Sequence, residues 1–244
     1  MPAFLDEHVL LMYECLLILC YVVIRKIKLW SNKLVSNIFV HDSNIVFIAE
    51  SPYVDEMRLK YPMAGASGKE ITKVLLGKES PPLGAICKER AFERYGLTSF
   101  SIMNISQFPL EIKAYQTEGY KKLYPNNLDD LMKLKRNIDA QNNKGSNFHE
   151  DWKIPRNPSV KELKFRLLDE LIENLSNLQA ESKIQLIPCG KFARVFVRKA
   201  LENEILAPHF VMLEDVPHPS RNKWAGMPVA KLKEIQSIVL SSTT

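Results

Sequence analysis

The sequence predicts an α/β fold, a three-layer α/β/α arrangement around a central four-stranded parallel sheet. Four short runs, residues 44–49, 99–105, 184–188 and 210–213, are apolar and rich in β-branched or aromatic residues. Helix-patterned stretches stand between them, and strands apolar on both faces that alternate with helices belong to a parallel sheet covered on both sides. The length, 244 residues with 46% hydrophobic, suits one such domain over residues 1–244.

In chain order, residues 1–43 read as an N-terminal helical segment centred on the apolar stretch 9–24. A membrane span needs roughly 20 apolar residues, and this stretch is shorter and contains Glu14. A secretory leader opens with positive charge, whereas Asp6 and Glu7 precede this one. It is therefore read as a buried helix. After the first strand, Glu50-Ser51-Pro52 opens a loop. A helix is expected over 67–76 with Ser67 as its N-cap, and another over 83–95 stopped by Gly96. Residues 114–158, rich in Lys, Asn and Gly, read as a basic insertion carrying one short helix at 128–138. Helices are then expected at 160–178, 191–201 and 227–240 around the last two strands.

The formal charge of +5 favours an acidic partner such as nucleic acid. Cys15, Cys20, Cys87 and Cys189 lack the paired short spacings of a zinc or iron–sulfur site and read as buried thiols in a reducing cytoplasm. Gly65-Ala66-Ser67-Gly68-Lys69 is not a P-loop, because its glycines are too close together and Glu70 stands where Ser or Thr would bind magnesium. No metal and no cofactor are expected, no membrane partner, and a monomer.

Ligands of open parallel sheets bind beyond the carboxyl ends of the strands. Residues 50–53, 104–108, 189–191 and 218–222 lie there and should converge on one crevice.

Those segments resemble the signature segments of the uracil-DNA glycosylase superfamily, from about residue 44 to 240. Ala49-Glu50-Ser51-Pro52-Tyr53 is similar to the water-activating motif, GQDPY in one branch and GEAPG in another. Tyr61-Pro62-Met63-Ala64-Gly65-Ala66-Ser67-Gly68 is similar to the RPFVGxAG stretch downstream of it. Ser101-Ile102-Met103-Asn104 resembles the strand ending in a base-reading asparagine, and the segment from Ile187 to Ala193 resembles the family's hydrophobic-xxG-xxA. His218-Pro219-Ser220 matches its HPS motif, the most specific of the set.

The resemblance implies the glycosylase fold and a DNA glycosylase that hydrolyses the N-glycosidic bond of a flipped-out pyrimidine, leaving an abasic site. Extruding the base costs roughly a few kcal/mol and requires a fitted pocket. Asn104 would read the base edge with its amide. His218 would donate to the pyrimidine O2 as charge develops on the departing base, with Pro219 fixing the backbone. Glu50, aligned with the glutamate of GEAPG, would position the water, with Asp55 as reserve carboxylate. Ser51 stands where GQDPY has its aspartate and could hold the water but is a poor base. Pro52 and Tyr53 would line the pocket, Tyr53 as a wall toward the pyrimidine C5. Met63 stands where the family has a stacking phenylalanine, and its flexible thioether accepts more varied shapes. Ser67, Gly190, Lys191, Ser220 and Arg221 would grip phosphates. Arg221, Asn222 or Trp224 would wedge into the duplex, and the insertion could add a further DNA-contacting surface.

None of the cysteines forms the iron–sulfur pattern of the GEAPG branch. The substrate stays open between a deaminated base such as uracil and a bulkier modified cytosine of phage DNA, which would make the protein a defence enzyme. A non-catalytic DNA or modified-base binder on the same fold is the alternative.

Overall fold

The computed structural model describes residues 34–116, 119–120, 123, 127–140, 152–178 and 182–241. The chain divides into two compact units, Met1–Leu34 and Val35–Thr244. The helix expected at 9–24 lies in the first unit and outside the described residues, as do Cys15 and Cys20. The second unit holds the sheet.

Its strands are β1 (Ile45–Ala49), β2 (Ser101–Asn104), β3 (Ile184–Pro188) and β4 (Phe210–Met212). All pair in parallel in the order β2-β1-β3-β4, with Phe47 opposite both Ile102 and Ile187 and Leu186 opposite Met212. Around them lie α1 (Val54–Leu59), α2 (Ala66–Leu76), α3 (Leu83–Lys88), α4 (Leu128–Ala140), α5 (Pro158–Ser176), α6 (Lys191–Ala200) and α7 (Val229–Val239). The expected α/β/α architecture with four parallel strands is the one observed.

Side chains alternate along a strand, so each face of the sheet needs its own cover. Ile45, Phe47, Ile102 and Ile187 form one core with Ile71 and Leu75 of α2, Leu83 and Ile86 of α3, and Ile235 and Val239 of α7. Phe100 meets Phe47 and Phe92 edge to face at centroid distances of 5.2 and 5.0 Å. The alternate residues Val46, Ile48 and Leu186 are equally buried. Helices α4, α5 and α6 pack on one another, burying Leu131, Leu134 and Ile138 of α4 with Leu163, Leu167 and Leu171 of α5. Residues 128–140, within the expected 114–158 insertion, are thus a layer helix with its own apolar stripe.

Several boundaries differ from expectation for local reasons. Residues 35–43, expected within a helical segment, are extended and turning. Ile38 bridges Ile102 antiparallel and covers the outer edge of β2, which an open edge strand needs. The helix expected at 83–95 ends at Lys88. Arg90 turns left-handed (φ 57°), and Ala91 N–H and Arg90 N–H close on the carbonyls of Ile86 and Cys87 in a Schellman pattern. The Arg90 guanidinium donates to Phe39 O at 2.9 Å, fastening the 35–43 segment. Helix α2 begins at Ala66 with Gly65 as N-cap, so Ser67 sits inside its first turn and is not the cap. Helix α1, expected as loop, carries no Ser, Thr, Asp or Asn at its cap, Tyr53. Glu56 at N3 accepts the Tyr53 N–H at 2.7 Å instead.

Helices α2 and α3 approach the Pro62–Met63 turn backbone to backbone. A Cβ on Gly68 would lie 2.0 Å from Met63 O, and one on Gly84 2.1 Å from Pro62 O. Gly84→Ala should therefore lower stability by about 1–3 kcal/mol, the usual cost of overpacking, read as a lower urea midpoint at unchanged m-value.

Candidate active site

The strand order places a topological switch point between β1 and β3. The chain leaves β1 toward β2 on one side and leaves β3 toward β4 on the other, so a crevice opens between their carboxyl ends. Backbone bonds fix its walls. Cys189 N–H donates to Ile48 O at 2.7 Å, Gly190 N–H to Val216 O at 3.1 Å, and Ser106 N–H to Glu50 O at 3.0 Å.

Two neighbouring cavities, about 550 and 250 Å³, occupy this crevice and share Glu50, Glu111, Lys135, His218, Ser220 and Arg221 as lining. The larger adds Gly190, Lys191, Arg194, Lys223 and Asp139 among others. The smaller adds Ser51, Pro52, Tyr53, Glu56, Met63, Ser67 and Pro219. Of the four segments expected to converge, 50–53, 189–191 and 218–222 supply lining residues, joined by Met63 and Ser67, whereas no residue of 104–108 lines either cavity.

Gly190 is what allows the crevice to be this tight. Its φ of +95° is accessible to glycine, and a Cβ there would lie 2.8 Å from His218 Cβ. His218 rides on the loop from Pro217 to Trp224, which two contacts hold. Glu70 of α2 accepts the Trp224 N–H at 2.9 Å and the Asn222 N–H at 3.2 Å. Trp224 is fully buried and donates its indole N–H to Pro217 O at 2.9 Å. These bonds offset two non-glycine left-handed residues, Arg221 (φ 56°) and Asn222 (φ 57°), each costing roughly 1–2 kcal/mol. Trp224 is an anchor of the core and is not available as a wedge.

His218 Nδ1 shares a hydrogen bond of 3.0 Å with Ser220 Oγ. Burial, then the positive fields of Lys135 and Lys223, push its pKa down to about 4 against the opposing pull of Glu111, so the imidazole is neutral at pH 7. Glu50 is buried, and that burial raises its pKa. Asp139 and Glu111 add to the rise, while Lys135, whose Nζ lies 2.5 Å from Glu50 Oε1, pulls it back. Lys135 also donates to Glu111 Oε1 at 2.8 Å. Burial acts to lower its own pKa, but the two carboxylates outweigh that and raise it, which keeps the ammonium charged.

Glu56 closes the far side of the smaller cavity. It accepts the Met63 N–H at 2.5 Å as well as that of Tyr53, tying together the two walls that those residues form. Met63 is held there in a left-handed conformation (φ 54°).

Three expected residues, Asp55, Asn104 and Asn222, stand apart. Asp55 lines neither cavity and pairs with Arg58 at 3.1 Å on the α1 surface, while its neighbour Glu56 takes the inward position. Asn104 is sealed. Its amide oxygen and nitrogen are both buried without a hydrogen-bond partner, and it lines neither cavity. Ser51 Oγ accepts the Leu110 N–H at 3.4 Å, and Lys191 Nζ donates to Asp139 O at 3.2 Å. Asn222 lines neither cavity.

Lys135, Glu111, Glu56 and Glu70 were not among the expected site residues. A Glu three residues after a helix cap signals Glu56, but nothing local distinguishes Lys135 from the other lysines of its helix. Cys87 and Cys189 are free and buried, and burial raises both thiol pKa values, that of Cys87 to about 12. No protein-family model matches the sequence, and no curated protein is similar to it.

Burial outweighs the two N–H bonds and lifts the Glu56 pKa from 4.5 to about 7. Between those values the unfolded chain has lost a proton that the folded one keeps, so stability falls as pH rises across the interval. Denaturation midpoints of wild type relative to Glu56→Gln should decline from about pH 4.5 to pH 7 and level off above; a flat difference would refute the assignment.

Proposed function

We propose that the protein is a DNA N-glycosylase of the uracil-DNA glycosylase type, releasing a deaminated or modified base from DNA in the cytoplasm. The observation that carries this reading is the meeting of a neutral, half-buried imidazole, His218, and a buried carboxylate, Glu50, on one crevice at the switch point of the sheet.

In the tautomer that this reading requires, the Ser220 hydroxyl donates to Nδ1 and the single ring proton of His218 lies on Nε2. That N–H donates to a carbonyl oxygen of the base as the glycosidic electron pair departs with it, and the low dielectric of the site strengthens the bond. Glu50 orients a water toward C1′. The water oxygen bonds to C1′, its proton passes to Glu50, and the base leaves as an anion to be protonated by solvent.

The two lobes also differ in charge. Lys191, Arg194 and Lys223 line only the larger, with Asp139 the one acid added there, whereas the smaller adds Glu56 beside Tyr53, Pro52 and Met63. A nucleotide fits with its phosphates toward the first and its base toward the second. Among the described residues no helix is long and apolar enough to cross a membrane, and no group of three His, Cys, Asp or Glu side chains is placed to hold a metal.

Because Asn104 is sealed, its amide does not support a choice of base, and Met63 in place of a ring leaves room for a bulkier pyrimidine such as the modified cytosines of phage DNA. A second reading, a DNA or modified-base binder without chemistry, is favoured by the Lys135 contact that already engages Glu50.

Purified protein incubated with labelled duplexes carrying uracil, hypoxanthine, 5-hydroxymethylcytosine or its glucosylated form, then treated with alkali, separates the two. Strand breaks should appear with one of these bases. His218→Ala should slow them about 10²–10³-fold and Glu50→Gln about 10²–10⁴-fold. Tight DNA binding with every base retained would leave the binder.

A further inference from the structure

We infer that Lys135, carried on α4, is the positioning residue for Glu50, with Glu111 as its tether, so that a helix of the β2–β3 connection completes the active site. The inference rests on the glycosylase reading for its catalytic consequence and on the ion pair alone for its physics.

The geometry is specific. The Lys135 ammonium bridges Glu50 Oε1 at 2.5 Å and Glu111 Oε1 at 2.8 Å, one from the end of β1 and the other from the stretch after β2. Its side chain is 20% exposed and that of Glu50 9%, so water screens the contact little. The bond to Glu111 fixes the lysine, and the lysine fixes one carboxylate oxygen of Glu50. The second oxygen remains for a ligand or a water in the cavities it lines.

The same contact answers an energetic problem. An isolated carboxylate this deeply buried would take up a proton and lose its capacity to hold a water as a base. The charged or titratable groups that share a cavity with Glu50 are Lys135 and Asp139 on α4, Glu111 after β2, Tyr53 and Glu56 at α1, Lys191 and Arg194 of α6, and His218, Arg221 and Lys223 on the 217–224 loop. Three of these are carboxylic acids, and His218 is neutral at pH 7. Among the cations, Lys135 is hydrogen-bonded to Glu50.

An amine beside a sugar aldehyde could instead attack it, but that requires a free base. The two carboxylates hold Lys135 as ammonium, so its part is electrostatic and steric, without a covalent step.

The test compares wild type, Lys135→Met and Lys135→Arg labelled with ¹³C at glutamate side-chain carboxyls, the Glu50 signal being assigned by its loss in Glu50→Gln. Lys135→Met keeps the apolar stem and leaves the buried face of α4 untouched. The Glu50 titration midpoint should rise by at least about one pH unit, as expected for losing an adjacent opposite charge. It should return toward the wild-type value in Lys135→Arg. The acid limb of kcat/KM for base release should move with it, and Glu111→Gln should displace both in the same direction by less. An unchanged midpoint in Lys135→Met, or faster base release than wild type at neutral pH, would overturn the inference, the latter by making the lysine a block. If Lys135→Met fails to fold, Glu111→Gln and Lys135→Arg read the same midpoint, and no movement in the former overturns it equally. A midpoint that moves in a protein releasing no base from any duplex removes the glycosylase reading and keeps the ion-pair role. A fixed midpoint in an active glycosylase does the reverse.

Discussion

The approach of Gly190 to His218 is the constraint on which the crevice depends. Two β–α turns must come together at the switch point, and any side chain at 190 would begin 2.8 Å from His218 Cβ. A backbone at φ +95° relieves that crowding and at the same time starts α6 beside the larger cavity. The position of His218 then depends on holding the opposite wall still. Trp224 is sunk into the core and Glu70 grips two backbone N–H groups of the loop, so that two left-handed residues between them are tolerated. The imidazole is thus aimed by Glu70 of α2, a core tryptophan and a missing side chain.

Burial does the electrostatic work within that frame, in opposite senses for the two main groups. It discharges His218, helped by Lys135 and Lys223, and it raises the Glu50 pKa, a rise that Lys135 beside it opposes. One ammonium therefore acts on both: its field disfavours the imidazolium while it favours the carboxylate. Glu111 restrains the first effect and anchors the lysine for the second. One cation placed between them thus favours the neutral imidazole and opposes protonation of the carboxylate, whose pKa burial still holds above its ordinary value.

How far this was legible in the sequence depends on the range over which each feature is determined. The strands were read within a few residues because apolar, β-branched runs need no tertiary information, and their parallel pairing followed from the intervening helices. The crevice was legible for the same reason: in a parallel sheet, strand ends converge. Local backbone geometry was less accessible. Arg90 ends α3 left-handed where glycine would have announced a stop, and α1 is capped through Glu56 with no cap-forming side chain at Tyr53. Asp55 and Glu56 show the limit sharply, since adjacent acids on a short helix face different ways and only packing decides which is inward. The 128–138 helix was readable from its apolar stripe, but the reach of Lys135 to Glu50, 85 residues earlier in the chain, was not.

Asn104 and Glu56 together bear on how the smaller cavity selects what it holds. The residue best suited by type to read a base edge lies behind the cavity wall with its amide unpaired, a cost of about 1–3 kcal/mol for a buried polar group left unsatisfied. The wall itself consists of Tyr53 and Met63, whose backbones are joined through the Glu56 carboxyl. Shape there depends on a flexible thioether and a half-exposed ring, and not on a fixed set of hydrogen-bonding side chains. Methionine tolerates varied partners where an aromatic platform specifies one. A pocket built this way discriminates by volume and by the position of its turn more than by a fixed set of hydrogen bonds, and Glu56, which pins the turn, sets that shape from the cavity wall.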